Sequence, residues 1–128
     1  MIYIDSSVAL ARVFREPRAP PARFWAEPLV SSKLLEYEVW NRVHAYGLTR
    51  SHSEEARVML GGVELIELTE SVLARAVEPF PVAVRTLDAL HLATADFLRK
   101  SGERIELASF DNRLLAAARA LTIATAAL

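Results

Sequence analysis

Residues 86–98, TLDALHLATADFL, read as a helix that is apolar on nearly every side, through Leu87, Ala89, Leu90, Leu92, Ala93, Ala95, Phe97 and Leu98. A helix apolar all round is buried, so the rest of the chain is expected to pack around this one. Asp88 nevertheless stands in its first turn. With Thr86 as the expected N-cap, Asp88 lies at the positive end of the helix dipole, where a carboxylate gains a few tenths to about 1 kcal/mol. The alternative to this capping role is a carboxylate kept there to bind a cation, because an ionised acid beside an apolar helix needs a positive partner. No lysine or arginine is expected within one turn on its side of the helix. The choice therefore turns on which other acids the fold brings near it.

Working outward, residues 2–4 (IYI) read as a buried strand that runs into Asp5-Ser6-Ser7, a helix N-terminus. The helix over 7–15 is closed by Glu16-Pro17, and Pro17, Pro20 and Pro21 stiffen the connection to a short helix around 22–26. A second strand over 28–31 precedes a helix from Ser32 whose buried stripe is Leu35, Val39, Arg42 and Tyr46 and whose end is Gly47. Ser53-Glu54-Glu55 opens the next helix. VELIEL (63–68) alternates as a third strand, and Thr69-Glu70-Ser71 starts a helix that stops at Pro79. Beyond the central helix, IELASF (105–110) is a fourth strand, Asp111-Asn112 caps a helix through Arg119, and 121–124 forms a last short strand. Strands alternating with helices predict a parallel sheet covered on both faces, with residues 1–128 as one domain.

Composition narrows the chemistry. There is no cysteine, so no thiolate can bind metal, and His44, His52 and His91 lack the helical spacing of a zinc site. Any ion must then be held mainly by oxygen, which leaves Mg²⁺ or Mn²⁺ on carboxylates. The formal charge of −1, from 15 basic and 16 acidic side chains, gives no overall pull toward polyanions. If the acids gather in one place, however, the remaining surface carries a basic excess able to grip phosphates. Only Lys33 and Lys100 are lysines, and arginine suits bidentate phosphate contacts. No apolar run approaches the length of a membrane helix and the first residues do not read as a secretory leader, so a soluble cytoplasmic protein is expected.

In an open parallel sheet, functional groups collect beyond the carboxyl ends of the strands. Asp5 and Asp111 both sit there, each also a natural N-cap, and Asp88 begins a third helix. Glu36 and Glu38 flank the buried stripe of the helix after the second strand on opposite sides, and periodicity does not choose between them. Carboxylates within about 4 to 6 Å of one another cannot all stay ionised without a cation. A hard divalent ion relieves that conflict and leaves positions for phosphate, so phosphodiester hydrolysis is the reaction class that fits.

The segments YIDSSVAL, SSKLLEYEVWNRV, LDALHLATA and ELASFDNRLLAAA, in this order and spacing, resemble the PIN-domain ribonucleases, and among them the VapC-like toxins of toxin–antitoxin pairs. The resemblance covers essentially the whole chain. It implies a PIN-like three-layer α/β/α sandwich with a central, mostly parallel sheet of four or five strands. It implies as catalytic acids Asp5, Glu38, Asp88 and Asp111, with one or two Mg²⁺ or Mn²⁺ ions held by Asp5, Asp88 and Glu38, and by Asp111 directly or through water. Ser7 matches a hydroxyl that orients Asp5 or a bound water, and Arg113 is a phosphate contact. The first helix, ALARVFREP, lacks the lysine often found there, so Arg12 or Arg15 has to substitute. The resemblance further implies an RNA substrate, a homodimer, and an antitoxin whose tail covers the acidic pocket.

Other residues receive plainer readings. Asp96, two turns beyond Asp88, is expected as a surface or helix-partner charge, and His91 as a hydrogen-bonded packing residue. Trp25, Trp40 and Tyr46 are expected in the core or a dimer interface rather than stacked on bases. Two competing functions remain: a PIN-like module that binds RNA or protein without cleaving, and a phosphoryl-accepting receiver domain. The second is disfavoured, because the first strand ends in a single Asp5 and the tail TIATAAL has no lysine.

Overall fold

Strand β1 (Ile2–Ile4) is the centre of a five-stranded sheet, with β2 (Leu29–Ser32) and then β3 (Val63–Ile66) on one side and β4 (Glu106–Ala108) and β5 (Ala124–Thr125) on the other. Every pairing is parallel in this computed structural model, which describes residues 1–128. Because successive strand residues point to opposite faces, register assigns the two halves of the core. Tyr3 is in register with Val30 and Leu107. These three face Leu92, Ala95 and Leu98 of helix α5 (Thr86–Lys100) and Leu114 and Ala117 of α6 (Asn112–Ala120). Ile4, Leu29 and Ala108 take the other face. There they meet Val8 of α1 (Ser6–Val13), Leu35, Val39 and Val43 of α2 (Leu34–Ala45) and Met59 of α3 (Thr49–Gly61). The result is the expected three-layer α/β/α sandwich; α5 is buried from His91 to Asp96 and at Leu98, whereas Leu87 in its first turn is exposed because no element covers that end of the helix. Helix α4 (Glu70–Ala76) packs on α5. No helix is long and apolar enough to cross a membrane.

Several boundaries differ from the sequence reading. Helix α3 starts at Thr49 rather than Ser53, and the Ser53 hydroxyl bonds back to the Thr49 carbonyl instead of capping. The last strand is Ala124–Thr125, because Leu121 still bonds into α6 and Thr122 turns the chain with φ of 60°. In α2 the buried side chains are Leu34, Leu35, Val39 and Val43, whereas Arg42 and Tyr46 are exposed. Periodicity gives the direction of a side chain about its helix, not whether protein lies in that direction. The N-cap of α5 is Arg85, not Thr86, and its side chain makes no capping bond.

Asp96 departs furthest from expectation, being only 1 % exposed. Its Oδ2 accepts from Arg75 Nε of α4 at 2.9 Å and pairs with Lys100 Nζ at 3.0 Å, and its Oδ1 accepts from Arg99 Nη2 at 2.7 Å. It is a helix-partner charge, but one inside the protein: it clasps α4 to α5. Burial alone would raise its pKa, yet the three cations outweigh it and hold the carboxyl below the ordinary value.

Candidate active site

The chain leaves β1 at the sheet centre, fills one side with β2 and β3, and returns to the other side with β4. Elements following β1, β2 and β4, together with α5, therefore meet beyond the carboxyl edge of the sheet, where such folds place their sites. A cavity of about 790 Å³ opens there, and Asp5, Glu38, Asp88 and Asp111 all line it. Glu36 does not; it pairs with Lys33 at the surface. Of the two glutamates that helical spacing left level, only Glu38 lines the cavity.

Asp5 is buried, 4 % exposed, and caps α1. Its Oδ1 accepts from Val8 N–H at 3.2 Å and from the Ser7 hydroxyl at 2.6 Å, while its Oδ2 accepts from the Ser109 hydroxyl at 2.6 Å. Each serine has one proton, and both are spent on Asp5. Their lone pairs then accept the backbone N–H groups of Phe110 and Asp111, each at 2.9 Å. Two hydroxyls thereby lock the β1–α1 junction to the β4–α6 junction and fix Asp5 relative to Asp111. Ser7 is placed on Asp5, where the resemblance expects an orienting hydroxyl. Ser109 was overlooked in the sequence, although a serine at a strand end two places before a capping aspartate is a usable signal. Burial pushes the Asp5 carboxyl above its ordinary range, against the opposing pull of the Ser109 and Ser7 hydroxyls and the Val8 N–H.

Glu38 is positioned through α5. His91, 1 % exposed, lies within 2.5 Å of Glu38 Oε1 through Nε2 and within 2.7 Å of the Tyr3 hydroxyl through Nδ1. Tyr3 Oη also accepts the Ser32 N–H at 3.2 Å. A proton on His91 Nε2 satisfies the whole chain: Ser32 donates to Tyr3, Tyr3 to Nδ1, and Nε2–H to Glu38. Burial pushes the Tyr3 phenol up, which keeps it a donor. His91 is a hydrogen-bonded packing residue as expected, and it also fixes the glutamate.

Asp88 and Asp111 are half-buried and share a partner that the sequence did not disclose. Arg85 Nε lies 3.6 Å from Asp88 Oδ2, and Arg85 Nη2 donates to Asp111 Oδ2 at 3.1 Å, while Asp111 Oδ1 caps α6. The expectation of no basic group near Asp88 is therefore corrected. Arginine immediately before a helix can fold back over its first turn, which linear spacing does not reveal. Even so, burial first and then the charge of Asp111 push the Asp88 carboxyl up, and Arg85 offsets this only in part.

The basic residues proposed from sequence are distributed otherwise. Arg12 stacks on Trp25, 4.6 Å from the ring centroid, and Arg15 pairs with Glu55, so neither lines the cavity. Arg18, Arg42 and Arg85 line it instead. Arg113 lies beside Arg85 and Asp88 at a smaller adjoining pocket. Tyr46 is 58 % exposed at the cavity mouth, not in the core.

No three histidine, aspartate or glutamate side chains meet closely enough to ligate an ion as they stand. The donor set still suits one. It is all oxygen, drawn from carboxylates on four separate elements, and Asp88 and Asp111 already share a cation in the form of Arg85.

The PIN domain family model matches residues 2–120. Among curated proteins of Mycobacterium tuberculosis, the chain is 32 % identical to ribonuclease VapC47 over 133 residues, covering 98 % of this chain and 96 % of that one. It is 35 % identical to ribonuclease VapC46 over 129 residues, with the same coverage of 98 % and 96 %. With ribonuclease VapC35 it shares 31 % over 135 residues, or 99 % and 96 % of the two chains. Taken with the three-layer parallel fold and the acid-lined cavity at its carboxyl edge, these likenesses establish that the chain belongs to the PIN-domain family.

Proposed function

We propose that this chain is a metal-dependent endoribonuclease that hydrolyses RNA phosphodiester bonds, acts as a toxin, and is neutralised by a cognate antitoxin. The observation that carries the reading is the meeting of Asp5, Glu38, Asp88 and Asp111, from four distant parts of the sequence, on one cavity. The naming of its relatives as VapC ribonucleases supports RNA as substrate and an antitoxin as partner. Asp5, Asp88 and Glu38 would hold Mg²⁺ or Mn²⁺, with Asp111 contributing directly or through water. Such an ion supplies Lewis-acid polarisation of a phosphoryl oxygen and a lowered pKa for a coordinated water. The chain's own residues supply position. Ser7 and Ser109 hold Asp5, His91 holds Glu38, and Arg18, Arg42 and Arg85 offer cations to the phosphates at the cavity wall. Exposed apolar side chains at Leu73 on α4, Val77 at its C-terminal cap and Leu87 on α5 support self-association.

The deciding experiment is RNA cleavage by the wild type with and without Mg²⁺, alongside its thermal stability. Metal-independent cleavage, or none under any metal, would count against the proposal, and the latter would favour the non-cleaving PIN-like module.

Arg85 makes a separate prediction. Its side chain is 68 % exposed and sits on two of the proposed ligands, so it competes with an incoming ion. Arg85→Ala is expected to tighten Mg²⁺ binding about two- to fivefold by isothermal titration, the range for a solvent-screened ion pair. Weaker Mg²⁺ binding by that variant would mean that Arg85 helps to form the ion site.

A further inference from the structure

Glu38 and Arg42 on α2 and Tyr46 at its C-terminal cap follow one another at intervals of four residues, each about 6 Å beyond the last, and all three line the acidic cavity. The sequence placed Arg42 and Tyr46 in a buried stripe, yet both are exposed. A large aromatic ring left 58 % open next to a phosphodiesterase site needs an account.

The ring is held rather than loose. Phe14 packs against it with centroids 5.4 Å apart and planes tilted by 34°. Arg42 Nη1 donates to the Tyr46 hydroxyl at 3.2 Å, and the Arg42 guanidinium lies 5.6 Å from the ring centroid. Phe14 is itself braced by the edge of His52, 5.8 Å away. An aromatic surface already fixed in place loses little entropy when a planar group stacks on it. Arg18 on the same cavity is paired with Glu16, but Arg42 makes no ion pair with any acid of the protein, so the cation beside the Tyr46 ring is open to a phosphate, which favours a nucleotide over an apolar peptide.

We infer that Tyr46 and Arg42 form the subsite for the nucleotide next to the cleaved bond, with an unpaired base stacked on the Tyr46 ring and its phosphate on the Arg42 guanidinium. This rests on the nuclease reading and adds a requirement to it. The RNA must present an unstacked base at that position, because a paired base within a duplex does not offer its face. Glu38 serves the reacting phosphate, Arg42 the adjoining one, and Tyr46 the base.

The test is a cycle between protein and RNA. Binding of a short fluorescein-labelled single-stranded oligoribonucleotide is followed by anisotropy at fixed salt, with Ca²⁺ in place of Mg²⁺, for wild type, Tyr46→Ala and Tyr46→Phe. The same oligonucleotide is then used with a single abasic site moved along it. Tyr46→Ala is expected to lose roughly tenfold in affinity, as removal of a stacking aromatic does, and Tyr46→Phe is expected to retain binding. At one position the abasic substitution should cost the wild type a similar factor and Tyr46→Ala almost nothing, the sign of a direct contact. Equal affinity for wild type and Tyr46→Ala, as expected if this ring instead serves a protein partner, would overturn the subsite. So would independent, multiplying losses at every abasic position. Absence of RNA binding and cleavage in the wild type would strike the nuclease reading itself, and is told apart from these results by needing no variant.

Discussion

Asp88→Asn is expected to abolish the stabilisation that Mg²⁺ confers and to lower RNA cleavage by at least about a hundredfold, the scale on which losing one charge-stabilising group at a reacting centre acts. An ion present at about a hundred times its dissociation constant stabilises the state that binds it by about 2.7 kcal/mol. In the wild type this should register as a clear rise in Tm on adding Mg²⁺, and in the variant as none. The metal-free comparison separates this from simple damage. Burial and the neighbouring Asp111 charge disfavour the ionised Asp88 carboxyl, with Arg85 a partial and solvent-exposed offset. An isosteric neutral amide removes that conflict, so metal-free Asp88→Asn is expected to be no less stable than metal-free wild type. A variant that is destabilised without metal yet still gains Tm with Mg²⁺ would remove Asp88 from the ion site.

The second large effect lies away from the chemistry. Asp96→Ala is expected to destabilise the fold by about 3 kcal/mol, lowering Tm by roughly 10 °C. The carboxylate is 1 % exposed and draws in Arg75, Arg99 and Lys100. Arg75 Nη1 and Arg99 Nε already lack a protein partner, so losing the acid leaves two partly buried guanidiniums without their counter-charge. Lys100 is mostly exposed and contributes little to the sum. The pH dependence has a definite sign. The folded-state pKa is held below the ordinary 3.8, so the contribution is complete above about pH 4 and fades as pH falls through the folded value. Urea unfolding of wild type and Asp96→Asn should accordingly differ at neutral pH and converge in strong acid. A difference below about 1 kcal/mol at pH 7 would class the cluster with ordinary surface pairs.

Asp96 also shows why the two kinds of reading diverge. Its spacing from Asp88 predicts that the two stay apart, and Asp96 does not line the acidic cavity. That it is buried depends on α4 lying across α5 and presenting Arg75, a residue 21 positions earlier. Glu38 gives the converse case. Helical spacing left it level with Glu36, and only the position of α2 against α5, with His91 reaching across, turns it inward.

The amino-acid sequence by itself determined the order of strands and helices, the parallel sheet, the buried middle of α5, and the standing of Asp5, Asp88 and Asp111 at helix starts. These follow from local periodicity, capping residues and motif spacing, which a linear chain displays directly. Tertiary structure alone decided that Ser109 shares Asp5 with Ser7, that Arg85 bridges Asp88 and Asp111, and that Arg18, Arg42 and Tyr46 rather than Arg12 line the cavity. Each depends on the distance between elements far apart in the chain, and that distance is set by how the sheet stacks its layers.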